Sequence, residues 1–260
     1  MDDTISLEQT LVNGSSGRLT ADSNDQSNKP LVIRGVIKID HANKCRANKR
    51  DFWYIDTGYF GNFPSPGNPK GSKKWHRVVK NENQQVDIVD VPGDRWNNIV
   101  ADDPRLEWKG WKNYDKKILL VMPNPKACLW YGVNYEQWVE KTKADIAKYS
   151  DLPVEVRIKG SRRERNNGYT IYDAFDSGVY ATVAMNSMAA LESVLYGIPA
   201  FVSVPCAASP LASMDLSQLG NPYKPHHKLI GRHAKNLAYT QFTTEEILNG
   251  TAYNLTEKYR

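Results

Sequence analysis

The residue types best suited to hold an anion and a sugar fall in one stretch, Val179 to Ser203. There Asn186 and Ser187 precede an apolar repeat at helical spacing, Ala189, Ala190, Leu191, Val194 and Leu195, with Glu192 inside it. The first turn of a helix leaves backbone N–H groups unpaired and carries partial positive charge. A helix opening at Ser187–Met188 therefore attracts a phosphate without needing a cation. From Glu192, one turn further in, a carboxylate can accept two hydrogen bonds from the cis-diol of a ribose. The same residues also suit an ordinary N-capped helix with an exposed glutamate, and the segment alone does not choose between the two. Arg157 and Lys159 lie two apart, on one side of a strand's pleat, where two cations can neutralise a diphosphate or decorate an exposed edge.

A general base is offered earlier in the chain. Asp51-Phe-Trp-Tyr-Ile-Asp-Thr-Gly-Tyr-Phe-Gly-Asn62 reads as an aromatic strand that delivers Asp56, Thr57, Gly58 and Tyr59 at its carboxyl end, the edge where open α/β sheets bind ligands. Asp56 is placed to take a proton from an acceptor hydroxyl, or else it starts an Asp-Thr-Gly turn. Arg77 and Asn81, on a further strand from Trp75 to Asn81, are available to bind, and Gly35 allows a tight turn or close ligand approach.

The elements that must position these groups alternate between strand and helix. Leu31-Val-Ile33 is a first buried strand, followed by a short helix through Ile37, Ala42 and Cys45. Residues 61–74 form a Gly/Pro/Lys-rich loop, and Pro92 to Trp111 an irregular segment rich in Trp and Arg that either clamps bases or packs in a core. A second block has a strand at Ile118–Met122, a Pro-containing loop to Tyr131, a helix from Tyr135 to Tyr149, and a strand ending at Arg157 and Lys159. A short helix from Thr170 to Phe175 then leads into a buried βαβ unit, in which Val179–Ala184 and Pro199–Val204 are the strands and Gly197 ends the helix. The last helix runs through Leu237, Ala238 and Phe242. The divisions expected are a mobile leader over 1–29, a first α/β domain over 30–113, a second over 114–220, and a C-terminal segment over 221–260 that packs back on the first.

Composition fits an ordinary soluble protein, with 40% hydrophobic and 24% charged residues. No apolar run reaches the roughly 18 residues of a membrane span, and no signal-peptide pattern opens the chain, so a cytoplasmic protein without a membrane partner is expected. Cys45, Cys128 and Cys206 are far apart and form no CxxC pair, so all three are expected reduced. His226, His227 and His233 lack metal-ligand spacing, and no metal is expected. The formal charge is +5. The leader has two cations against five anions, a net of −3, which leaves +8 on residues 30–260 and favours polyanionic partners.

Strand–helix alternation in two blocks is the architecture of two facing Rossmann-like domains, the first one small. The second block resembles the nucleotide-sugar domain of GT-B glycosyltransferases, through Arg157-Ile-Lys159 ahead of an Asn186-Ser187-x-x-x-x-Glu192 helix and the Gly197-Ile-Pro199 turn. Asp56-Thr-Gly-Tyr-Phe-Gly-Asn62 and Arg77-Val-Val-Lys-Asn81 resemble small glycosyltransferase-like proteins of tailed phages, some of which modify hydroxymethylated pyrimidines, uracil or cytosine, in DNA. This resemblance implies a hexosyltransferase that uses a nucleotide sugar such as UDP-glucose as co-substrate, with no other cofactor and with DNA as acceptor. Chemistry would then fall in the cleft between the domains. It also implies donor contacts at Arg157, Lys159, Asn186, Ser187, Met188 and Glu192, a base at Asp56, and acceptor contacts at Gly35, Thr57, Gly58, Tyr59, Arg77 and Asn81. No D-x-D triplet, G-x-G-x-x-G or G-x-x-x-x-G-K-[ST] occurs, so GT-A, dinucleotide-oxidoreductase and P-loop readings lose ground. A non-catalytic nucleic-acid-binding protein and a sugar-nucleotide epimerase are the competing readings.

Overall fold

The computed structural model describes residues 29–35, 39–62, 64–69, 74–158 and 170–259. The expected leader, except Lys29, and Ile37 lie outside them. In chain order the described strands and helices are β1 (Leu31–Arg34), α1 (Ile39–Ala47), β2 (Phe52–Thr57), β3 (Trp75–Lys80), α2 (Asp94–Asp102), β4 (Lys117–Val121), α3 (Pro125–Tyr131), α4 (Tyr135–Tyr149), β5 (Val154–Arg157), α5 (Ile171–Asp176), β6 (Val179–Ala184), α6 (Met188–Tyr196), β7 (Ala200–Val202), α7 (His227–Tyr239), β8 (Gln241–Thr243), α8 (Thr244–Leu248) and α9 (Thr251–Lys258). Among the described residues no helix is long and apolar enough to cross a membrane.

The chain divides into two compact units. One holds the chain up to Gln85, Val89–Asp103 and the chain from Ala234, and the other holds Val86–Ile88 and Pro104–His233. The sequence sets its boundary at 113/114, whereas the contacts divide the chain at Asp103/Pro104 and again at His233/Ala234.

In the first unit the sheet runs β1-β2-β3-β8. β1 is parallel to β2, but β3 is antiparallel to both β2 and β8. This corrects the expectation of a parallel, Rossmann-like first sheet. A parallel neighbour needs a crossover of a dozen or more residues, usually a helix. The Gly/Pro-rich chain after β2 forms no helix among its described residues, and β3 pairs with β2 antiparallel. On one face Val32, Trp53, Ile55, Val78 and Phe242 pack beneath Ile247, Ala252, Tyr253 and Leu255 of α8 and α9.

Arg95 on α2 ties this unit together. Its guanidinium donates to Ala238 O (3.0 Å), Gln241 O (2.7 Å) and both carboxylate oxygens of Glu246. Burial favours the neutral form of Glu246, but hydrogen bonding to Arg95 and the Thr243 amide outweighs it and lowers the pKa.

The second unit is a four-stranded sheet, β5-β4-β6-β7, parallel throughout. Its central strands are buried on both faces, which is why they read as continuous apolar runs. Ile118, Leu120, Ala181, Val183 and Met185 point to one side and pack on Cys128, Trp138, Val139 and Ile146 of α3 and α4. On the opposite side α6 presents Ala189 and Ala190, and Ser193 Oγ donates to Thr182 Oγ1 (2.8 Å), so small residues bring helix and strand together. Gly197 caps α6 at φ 90°, and a Cβ there would lie 2.1 Å from Gly110 O.

Three local expectations need correction. Asp94–Asp102 is helical where an irregular segment is expected; Trp96 meets Phe60 edge-on, with ring centroids 5.2 Å apart, and Ile99 is buried. Pro125 opens α3, because proline suits the first helical position and Asn124 caps it by accepting from Lys126 N–H. Phe242 belongs to β8, since the last long helix ends at Tyr239. Cys45, Cys128 and Cys206 are free and buried.

Candidate functional site

In the first unit the sequence-predicted residues gather at the carboxyl end of β2. Asp56 pairs in register with Arg77 on β3, so the two side chains share a face. Asp56 Oδ2 accepts from Arg77 Nη2 (3.1 Å) and Tyr54 Oη (2.8 Å), while Oδ1 accepts from Thr57 N–H (2.7 Å). Arg77 is nearly buried and also donates to Asn83 O and Thr57 O, both at 2.8 Å. Its guanidinium carbon lies 5.6 Å from the Tyr54 ring and 5.8 Å from that of Tyr59. Burial first, and then the Asp56 carboxylate, push the Tyr54 phenol upward, so it remains a donor. Asp56 is thus the fixed partner of a buried arginine, with its side chain about one-third exposed (32%).

The turn that follows is fitted to Trp75. A Cβ on Gly58 would lie 2.7 Å from Trp75 Cβ, and one on Gly61, at φ 78°, 2.7 Å from Trp75 Nε1. Asn62 Oδ1 accepts from Trp75 N–H, and the Asn62 amide donates to Gly58 O. The Tyr59 hydroxyl accepts from Gln85 N–H, and Phe60 N–H donates to the buried side chain of Gln241. Packing alone therefore accounts for most of the Asp-Thr-Gly-Tyr-Phe-Gly-Asn pattern.

Gly35, at φ 77°, follows β1 and donates to Ile55 O, which sets it beside Asp56; a Cβ there meets no atom of the described residues within 4 Å. Asn81 is not part of this group. It sits four residues beyond Arg77 along β3, on the order of 13 Å away. There, at φ 64°, it bonds to Phe52 N–H, Phe52 O and Asp51.

The parallel register of the second unit aligns Arg157, Val121, Ala184 and Val202 in one row at the carboxyl edge. From β4 the chain moves outward to β5, then returns to β6 on the other side of β4. The reversal between β4 and β6 is the topological position at which open α/β sheets bind ligands. Asn186, Ser187 and Met188 emerge there, half-buried, and Ser187 caps α6 by accepting from Ala189 N–H (3.2 Å). Glu192 lies in the second turn of α6, half-buried. Arg157 occupies the end of β5, about two strand spacings from β6, or roughly 10 Å. Lys159 lies outside the described residues.

Two neighbours of this edge are not anticipated from sequence. Asn124 follows β4 as an N-cap, and the Asn-Pro pair was a readable signal for it. Ser203, after β7, accepts from Trp138 Nε1 (3.0 Å), a pairing of residues 65 apart in the chain that no local pattern announces.

No family model matches the chain, and no curated protein does. Among solved structures it is similar to the Thermosulfurimonas dismutans protein titled KpsC, beta Kdo 2,4 transferase, at 10% identity over 86% of each chain with a TM-score of 0.47.

Proposed function

We propose that the chain is a glycosyltransferase that moves a sugar from a nucleotide-sugar donor, of the UDP-sugar kind, to an acceptor hydroxyl without a metal. The observation that carries this reading is the alignment of Arg157 with the end of β6 and the start of α6 at the strand-order reversal. A diphosphate at the Ser187–Met188 helix start would be met by backbone N–H groups and the guanidinium, both of which strengthen as leaving-group charge grows. Glu192 would hold the ribose. Asp56 would deprotonate the acceptor through Oδ1, the oxygen hydrogen-bonded by the Thr57 amide, while Oδ2 stays with Arg77 and Tyr54.

The finer reading, a hydroxymethylated pyrimidine in DNA as acceptor, is supported by the motif resemblance and the basic body of the chain. Donor kinetics test the core of the proposal. Glu192→Gln raises the donor KM with little change in kcat, because a ribose contact is made equally in ground and transition states. Arg157→Ala lowers kcat, because its charge acts on the departing diphosphate. A Glu192→Gln protein with an unchanged donor KM would remove the ribose assignment, and an Arg157→Ala protein with unchanged kcat would remove the leaving-group role.

A further inference from the structure

The face of the first sheet opposite the Asp56 side chain carries a second group of polar residues, one of which, Thr57, also gives its backbone amide to Asp56. Thr57 and His76 are directly paired in the β2–β3 register, and Arg34, paired with Ile55, lies on the same face one diagonal step away. Lys74 immediately precedes β3. From α8, Thr244 Oγ1 lies 3.5 Å from His76 Nε2. Arg34, Thr57, Lys74 and Thr244 are exposed and His76 is half-buried, at the open border of the apolar patch formed by Ile55, Val78 and Phe242.

The charge here is cationic. Burial lowers the His76 pKa, Arg34 and Lys74 lower it further, and, among the described residues, Asp56 on the opposite face raises it. On α8, Glu246 is engaged by Arg95 and Glu245 is exposed. A neutral imidazole, two hydroxyls, a guanidinium and an ammonium on adjoining elements make a donor-rich corner suited to one oxyanion.

We propose that this corner, where the ends of β1 and β2 meet the starts of β3 and α8, binds the carboxylate or phosphate of an anionic acceptor through Arg34, Lys74, Thr57, Thr244 and His76. The assignment of that ligand as the acceptor rests on the sugar-transfer reading; anion binding itself does not. It is therefore measured without any donor, so a failure here leaves the transfer reading intact.

The readout is the imidazole resonance of His76 in the full chain, identified by its loss in His76→Gln and titrated against pH. Glucuronate supplies the carboxylate, glucose 6-phosphate the phosphate, and glucose is the neutral control. A bound anion favours imidazolium, so the His76 midpoint moves to higher pH with one or both anions and stays put with glucose. A response to the phosphate alone or to the carboxylate alone supports the site and names the source. Arg34→Ala and Lys74→Ala each weaken binding about tenfold, as loss of one charge-assisted contact implies. A midpoint that neither anion moves, one that glucose moves equally, or affinities unchanged in both variants overturn the proposal.

Discussion

Replacing Arg77 by lysine keeps the charge and removes the fork. The guanidinium makes three directed hydrogen bonds, to Asn83 O, Thr57 O and Asp56 Oδ2, in a residue only 9% exposed. A lysine ammonium on a shorter reach can keep one of them, and Asp56 is the natural choice. Two backbone carbonyls, Asn83 O in a buried contact and Thr57 O in a part-buried one, lose their donor at about 1 kcal/mol each, and weakened contacts to the Tyr54 and Tyr59 rings add about 1 kcal/mol. The expected loss is about 3 kcal/mol.

Asp56→Asn, by contrast, can keep Thr57 N–H as a donor and gives up an ion pair in which the carboxylate is about one-third exposed, so about 1 kcal/mol is expected. Native-state hydrogen exchange at the amides of Tyr54, Ile55 and Val78 separates the two. Arg77→Lys should accelerate exchange about a hundredfold, and Asp56→Asn should do so much less. Equal losses in the two variants, or less than 1 kcal/mol for Arg77→Lys, would refute the view that the arginine, through its carbonyl bonds, organises this end of the sheet.

Two further outcomes follow from buried geometry. His233 Nε2 lies 2.6 Å from Ala207 O and must be the protonated nitrogen, while Nδ1 is buried without a partner among the described residues; burial lowers the pKa to about 4 from the ordinary 6.5. The unfolded chain therefore takes up this proton first, so the contribution of His233 is complete above pH 6.5 and is lost as pH falls through 4. That amounts to about 3 kcal/mol at 1.36 kcal/mol per pH unit. Urea unfolding across this range should show the slope, and His233→Gln, which keeps a donor for Ala207, should flatten it; an equally steep slope in the variant would exclude His233 as its source. Gly197→Ala, at φ 90° and 2.1 Å from Gly110 O, should cost about 2–5 kcal/mol in thermal unfolding, whereas Gly132→Ala, at φ 64° with nothing among the described residues within 4 Å, should cost about 1 kcal/mol. Similar losses at both sites would argue against the close approach.

The β6–α6–β7 unit was legible because its signals are local. Two short runs buried on both faces, a Ser cap and a Gly stop bracket a helical repeat, and each appears within a residue or two of its expected place. The direction of β3 was not legible, since strand patterning records burial and not polarity. Asp94–Asp102 was hidden by an aromatic–arginine pattern whose helical logic depends on partners far along the chain, Phe60 for Trp96 and Glu246 for Arg95. At the candidate site the types and edge positions of Asp56, Arg157 and Ser187 were readable. What Asp56 touches was not, because Tyr54 is a strand neighbour and Arg77 arrives from another strand. Asn81 lies four residues beyond Arg77, at the opposite end of β2 from Asp56, a separation that the antiparallel pairing shows and residue type alone does not.

Mass spectrometry of hydroxymethylated DNA incubated with the protein and a panel of nucleotide sugars reads sugar transfer itself. One donor in the panel should add a single sugar mass to the modified base. Transfer should fall on the order of 10²–10⁴-fold in a folded Asp56→Asn protein that still binds donor. Transfer at the wild-type rate by Asp56→Asn would contradict the assignment of the base, and the absence of any mass gain with every donor, on this acceptor and on free glycans alike, would contradict sugar transfer by this protein.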